Sequence, residues 1–304
     1  MVNKHVLVIG DTILDETVYS NLIGVSLETP TLKAQYEKTE LEFGGASNVV
    51  KNILALGARV TYATIGGNDN YNENYKNWNS DKLRLFFIEE DRQNIVKARY
   101  WIKHGDSLYK QLQINSGEKR ASSDKAFDEL LRICDNQDNV DCILLVDYSI
   151  NIFSSIERSQ KLLKALRKYN KPIIVSSQLS SNKNKYPWFL GADYMCMNKA
   201  EASANVDNFD ASADSMQALS KTLGANVCVT LGEKGAVFTY GNKTQHYLPH
   251  KVNCVDSCGA GDAFLAAFSI FCESGDIELC NKWAALSTTK LGTQCPSKEK
   301  FYAY

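Results

Sequence analysis

The sequence predicts an α/β protein: a central, mostly parallel sheet flanked by helices, with a small β lid. Two observations carry that expectation. Short apolar runs of strand length (Val6–Ile9, Val60–Ile65, Ile143–Val146, Ile173–Val175, Val227–Leu231) alternate with amphipathic stretches of helical length. This is the pattern of strands buried on both faces beneath helices. Two helix-poor stretches, about 16–43 and 86–115, carry strand-like patterns instead, as in Thr31–Tyr36 and Ile95–Ile102. Strands from separate stretches can pair into a second, smaller sheet, an arrangement that suits a lid.

Each element has a local reason. Val6–Ile9 runs straight into Gly10-Asp11; without a long apolar region or a small-residue cleavage site it reads as a buried strand and not as a signal peptide. Asn48–Leu56 follows a Gly-Gly pair, carries apolar residues at helical spacing and stops at Gly57, a C-cap. The Asn- and Tyr-rich stretch Asn68–Asn79 reads as a solvated loop or polar helix. Ile156–Tyr169 is a helix between two strands, Ala263–Phe271 a buried helix and Asn281–Lys290 another. A single domain over residues 1–304 is expected, with the lid strands inserted in it.

Composition narrows the function. Thirty-four Lys and Arg against 35 Asp and Glu give a net charge of −1, which excludes a generally basic nucleic-acid binder. The longest predominantly apolar stretch, Ala263–Cys272, is about half of a membrane span. Nine cysteines without a CxxC pair, and four scattered histidines, argue for reduced thiols in the cytoplasm and against a structural zinc site.

The strongest local signal is Asp256-Ser257-Cys258-Gly259-Ala260-Gly261-Asp262-Ala263-Phe264, directly before the buried helix. Glycines and small residues there leave main-chain N–H groups converging on one spot, where the helix dipole favours an anion. Asp262 at the mouth of this turn can be a mere first-turn carboxylate. Beside an anion-binding turn it can equally accept a hydroxyl proton during phosphoryl transfer. No GxxxxGK[ST], no GxGxxG after the first strand and no HRD/DFG pair is present.

Weaker signals surround it. Gly44-Gly45 and Asn48 open a helix, where paired glycines admit a ligand close to the backbone; a loop and N-cap explain them equally well. Asp11 and Asp15 lie at the end of the first strand, where α/β sheets present ligand-binding groups and carboxylates can take sugar hydroxyls; a plain turn role for Asp11 is nearly as good. Asn198 and Glu201 can hold a hydrated Mg²⁺ near phosphates or form a capping box. Thr230-Leu231-Gly232-Glu233-Lys234-Gly235 can contact nucleotide phosphates or make a hairpin turn.

In this order the motifs resemble the ribokinase or PfkB family of ATP-dependent sugar kinases. Asp256–Phe264 is similar to its D-T-x-G-A-G-D-x-F signature, Gly44–Asn48 to its Gly-Gly signature, Asn198–Glu201 to its NxxE and Thr230–Gly235 to its TxGxxG. Within the family the chain is most similar to the heptose 7-phosphate kinases, through Gly10–Asp15, Ser26–Pro30, Lys97-Ala98-Arg99, Asp147-Tyr148 and Lys290–Thr293.

The resemblance implies a ribokinase-like fold with a lid over the sugar, and roles for particular residues. Asp262 would be the base and Gly259, Ala260 and Gly261 the anion hole. Asn198 and Glu201 would serve the Mg²⁺–phosphate network, Glu201 as the metal ligand, and Thr230, Gly232 and Gly235 the nucleotide. Asp15, Gly44, Gly45 and Asn48, with Asp11, would hold the sugar, and Lys97 and Arg99 a charged group on it. ATP, Mg²⁺ and a monovalent cation are the implied cofactors, and a heptose 7-phosphate, phosphorylated at the 1-position, is one implied acceptor.

The chain departs from the heptose kinases where they carry lysines: it has Ser149-Ile150-Asn151 and Ser176-Ser177-Gln178 instead, and an arginine before Ser26 is absent. Hexose phosphates and nucleosides therefore stay open as acceptors, as does a non-catalytic ligand-binding protein on the same scaffold. Lids of this kind sometimes pair between subunits, which admits a homodimer.

Overall fold

A computed structural model describes residues 4–180 and 183–303. β1 (His5–Gly10) passes through one residue, Asp11, into the hairpin of β2 (Thr12–Val25) and β3 (Leu32–Gly45), which runs directly into α1 (Ala46–Leu56). β4 (Arg59–Gly66), the short α2 (Asn72–Lys76), β5 (Leu83–Glu89) and a second hairpin, β6 (Val96–His104) and β7 (Ser107–Ser116), follow. Then come α3 (Asp124–Cys134), β8 (Cys142–Asp147), α4 (Ile156–Leu166), β9 (Ile173–Ser177), β10 (Tyr194–Asn198), α5 (Lys199–Ser203), α6 (Ala213–Leu223) and β11 (Asn226–Thr230). The chain finishes through β12 (Ala236–Tyr240), β13 (Lys243–Tyr247), α7 (Ala260–Phe271), α8 (Ile277–Ser287) and α9 (Lys298–Tyr302).

Nine strands form one sheet in the order β13-β12-β11-β10-β9-β8-β1-β4-β5, and four form the lid, β3-β2-β6-β7. The large sheet is parallel except at β11–β12–β13. Alternation along β1 explains its two layers. Leu7 and Ile9 pack among Leu130 of α3, Leu162 of α4 and Leu219 of α6, whereas Val6 and Val8 pack among Val49 of α1, Phe264 and Phe268 of α7 and Trp283 of α8. The Trp283 indole N–H donates to Asn52 Oδ1 at 2.9 Å, tying α8 to α1. From β1 the chain goes first to β4 on one side and later to β8 on the other, and a sheet of this type opens its ligand crevice at the carboxyl ends of such strands.

Several boundaries differ from expectation. The lid begins at Thr12, so Asp15 belongs to the lid and not to the end of the first strand. The stretch 86–115 divides: Phe86–Glu89 lies in β5, paired parallel with β4 in the main sheet, and the lid resumes only at Val96. The reason is burial, because β5 covers the edge of β4 while its Leu85 and Phe87 pack on the lid's base. The Asn-rich stretch includes a short helix that is not merely solvated, since Tyr75 and Asn72 are buried beneath the lid. The helix placed at Asn281–Lys290 starts earlier, at Ile277. α3 and α6 had no place in the expected order; Ser123 and Ser212 cap them by accepting from Ala126 N–H and Ser215 N–H.

Candidate active site

Asp262 stands in the first turn of α7, half-buried, at the carboxyl ends of the central strands. Both its oxygens are held. Asn48, buried in the first turn of α1, donates its side-chain N–H to Oδ2 at 2.8 Å, and the Tyr148 hydroxyl donates to Oδ1. Burial pushes the carboxyl up to about 6, against the pull of these two donors and of the Lys97 ammonium. It is therefore mostly ionised at neutral pH, yet basic enough to accept a proton.

The backbone around it is preset. Gly259 precedes α7 at φ +77, and a Cβ there would sit 2.8 Å from the Asn48 amide nitrogen. Only glycine meets both demands. The N–H of Ala260, expected in the anion hole, instead donates to Ser257 O at 3.2 Å. Gly261 and Asp262 supply the first-turn N–H groups, which have no intrahelical acceptor. Asp256 fixes the preceding turn by accepting from Cys258 N–H and Gly292 N–H, both at 3.0 Å.

A cavity of about 120 Å³ runs from Asp262 and Gly261 past Tyr148 and Gln178 to Asn198, Glu201 and Thr230. It adjoins a wider cleft of about 450 Å³ bordered by Asn198, Lys199, Thr230, Gly232 and Lys234. Asn198 and Glu201 form a full capping box: Glu201 Oε2 accepts the Asn198 N–H at 2.8 Å, and Asn198 Oδ1 accepts the Glu201 N–H at 2.9 Å. Burial pushes Glu201 up to about 7. Among the described residues no three metal-ligating side chains cluster, so a divalent cation here would share its shell with a phosphate chain and water. Oxygen donors such as Glu201 and Asn198 fit Mg²⁺ held in that way.

The Thr230–Gly235 segment is in fact the turn between antiparallel β11 and β12. Gly232 lines the cleft with φ +61 and open space beside it, but Gly235 faces away from it: a Cβ there would lie 2.1 Å from Tyr247 O.

On the lid side, Asp15, Arg99, Asp256, Cys258 and Thr293 border a third pocket. Arg99 donates to Asp15 Oδ1 at 2.6 Å. Gly44 makes room for that carboxylate, since a Cβ on Gly44 would lie 2.3 Å from Asp15 Oδ2. The Lys97 ammonium stands 5.7 Å from the centre of the Tyr148 ring.

Asp11 lines none of the three pockets described above. It is fully buried, and its oxygens accept the N–H groups of Tyr148, Ile150, Asn151 and Ile152 at 2.9–3.3 Å, anchoring the loop after β8. Gly45, at φ +59, likewise serves the turn into α1, with Asp11 O 2.8 Å from where a Cβ would be. The strand-end acid identified from sequence is thus a structural anchor one step behind the site.

Residue reasoning missed the role of Tyr148, whose Asp-Tyr motif marked only a resemblance. It also missed Lys185, whose buried ammonium donates to Phe153 O at 2.8 Å and to Asp147 Oδ1 at 3.2 Å. The positions without the relatives' lysines lie together: Ser149 Oγ donates to Gln178 O at 3.3 Å.

A family model described as pfkB family carbohydrate kinase matches residues 3–300. The chain belongs to the pfkB family. Matches to individual proteins follow that assignment. It is 27% identical over 305 residues to the "Bifunctional protein HldE" of Bradyrhizobium diazoefficiens, covering 95% of this chain and 60% of that protein. The HldE of Koribacter versatilis is 28% identical, with 96% and 61% covered. This pfkB chain thus spans about 60% of the length of those curated relatives.

Among solved structures, Escherichia coli phosphofructokinase-2 in complex with potassium superposes with a TM-score of 0.78 at 18% identity, covering 100% of this chain and 99% of that one. Thermotoga maritima ribokinase gives 0.72 at 22%, covering 98% of each. The fold is ribokinase-like, and the resemblance to the heptose-kinase branch agrees with the curated relatives.

Proposed function

We propose that the chain transfers the γ-phosphoryl group of ATP, with Mg²⁺, to a hydroxyl of a sugar or sugar phosphate, and that a heptose 7-phosphate phosphorylated at the 1-position is the first acceptor to test. The observation that carries this is the Asp262 carboxylate, held by Asn48 and Tyr148 between the nucleotide-side cavity and the lid-side pocket. Asp262 takes the acceptor's proton, and the N–H groups of Gly261 and Asp262 face the charge that develops on the transferred group. Glu201 would hold Mg²⁺ when it is bound, and the ion would supply positive charge on the leaving side.

Asp15 accepts hydroxyls of the acceptor, and Lys97 and Arg99 supply positive charge for an anionic group on it. The lid excludes water so that phosphate reaches the hydroxyl. The reading places the enzyme in the cytoplasm; in the described residues no helix is long and apolar enough to cross a membrane.

The same reading includes a homodimer through the lid. Tyr100 pairs with Leu112 and Ala98 with Ile114 on the face opposite Lys97 and Arg99, and Leu112 and Ile114 are 53% and 45% exposed. Sedimentation of the wild type against Leu112→Lys/Ile114→Lys tests it; a wild-type monomer sinks it.

The deciding assay is ADP release from ATP and Mg²⁺, with and without potassium, across heptose, fructose and mannose phosphates, free sugars and nucleosides. Asp262→Asn is the blank. Turnover on heptose 7-phosphate alone supports the specific acceptor. Turnover on another compound keeps the kinase and discards that acceptor. A fully active Asp262→Asn removes the base.

A further inference from the structure

Asp262 is reached from four directions. Asn48 comes from α1, Tyr148 from the loop after β8, and Asp15 and Lys97 from the lid strands β2 and β6; Cys258 faces Tyr148 from the turn before α7. Tyr148 is unusually fixed for a loop residue. Its N–H donates to buried Asp11 at 2.9 Å, and three following N–H groups hold the same carboxylate. Its hydroxyl reaches Asp262, and burial beside that carboxylate keeps the phenol protonated, so it acts only as a donor.

Lys97 completes a chain of contacts. It pairs with Asp15 across β2 and β6, so both side chains point to the same face of the lid. Among the described residues its ammonium makes no hydrogen bond or ion pair; it stands over the Tyr148 ring, and Asp15 and Asp262 attract it at longer range. Burial lowers its pKa, and Arg99 and Lys119 add to that. A cation over a phenol ring withdraws electron density from the ring, which strengthens the O–H as a donor.

We infer that Tyr148 is a positioning residue for the base, and that Lys97 links the lid to that base, by its own charge near Asp262 and over the Tyr148 ring. The inference rests on Asp262 being the base, as proposed above. Asn48 and Tyr148 each occupy one oxygen, which fixes the plane of the carboxylate towards the acceptor hydroxyl. When the lid shifts, the cation over the ring shifts with it, and the proton affinity of Asp262 changes.

The test needs no substrate. The carboxyl ¹³C resonance of Asp262, assigned by its loss in Asp262→Asn, is titrated in the wild type, Tyr148→Phe, Lys97→Met and Lys97→Arg, each first shown to melt as a folded protein. The expected result is a midpoint higher by about one pH unit in Tyr148→Phe, a smaller rise in Lys97→Met and a return towards wild type in Lys97→Arg. An unchanged midpoint in Tyr148→Phe overturns the positioning role, and a shift there with none in Lys97→Met overturns the link to the lid. The kinase reading fails separately, through an active Asp262→Asn in the ADP assay.

Discussion

Asn48 and Asp262 are 214 positions apart in the chain and 2.8 Å apart in the fold, joined by an amide-to-carboxylate hydrogen bond. A bond to a charged acceptor contributes about 1.5–3 kcal/mol, and this one orients the carboxylate proposed as the base. Asn48→Ala should lower kcat roughly 10- to 100-fold while leaving nucleotide affinity within about twofold. Steady-state kinetics beside calorimetric titration of a non-hydrolysable ATP analogue checks both halves.

The pH dependence has a definite sign. Burial raises the Asp262 carboxyl to about 6, and only the ionised form accepts a proton. Log kcat/KM should therefore fall with unit slope below about pH 6 and level off above about pH 7. An unshifted carboxylate would put that limb near pH 4. A profile flat down to pH 5 contradicts the burial argument.

In the proposed reaction, Gly44→Ala tests acceptor binding apart from nucleotide binding. A methyl group on it would occupy the space of Asp15 Oδ2, so Gly44→Ala should push that carboxylate out of the lid-side pocket. We expect KM for the acceptor to rise at least about tenfold, the cost of a lost charge-assisted hydrogen bond, with KM for ATP unchanged. Equal rises in both would place the damage elsewhere.

Asp11 contributes to stability and acts on catalysis only through the Tyr148 loop. Asp11→Asn turns an amide NH₂ towards main-chain N–H donors that now meet a carboxylate. A loss of roughly 2–5 kcal/mol is expected, read as a lower urea midpoint at an unchanged slope.

Lys185 neutralises Asp147 inside the fold. Lys185→Met leaves a buried carboxylate without its cation and should cost about 3–5 kcal/mol. Adding Asp147→Asn should restore part of that loss. If the double variant is as unstable as the single one, the pair is not the cause.

Periodicity showed the parallel strands and the buried α7, because a strand covered on both faces is apolar throughout. It showed α3 and α6 poorly. The apolar stripe of α3 is set in a strongly charged segment and that of α6 among Ser, Gln and Thr, and the decisive signals were single capping serines, Ser123 and Ser212. Asp262 and Gly259 stood out because a glycine-rich turn before a helix leaves few alternatives; Asn48 stood out as a sugar ligand, whereas the structure turns its amide to Asp262. The partners of Asp262 were not legible, since no local pattern says that Tyr148 and Asn48 meet it. Asp11 misled for the same reason. A strand-end carboxylate looks alike whether it faces a ligand or the N–H groups of a loop far along the chain.

Gly44 lies opposite Ile13, and Asp15 opposite Glu42, in the β2–β3 hairpin. The Asp15 carboxylate, proposed above to take the acceptor's hydroxyls, thus fits only because a residue without a side chain falls at that point of the ladder. Sliding β3 by one residue would bring the Phe43 ring to the place now left empty and turn the hairpin's faces over. If Asp15 holds the acceptor as proposed, selectivity is stored in the alignment of two strands as much as in the residues that touch it, and an insertion or deletion at the hairpin tip, remote from any chemistry, would be enough to rewrite it.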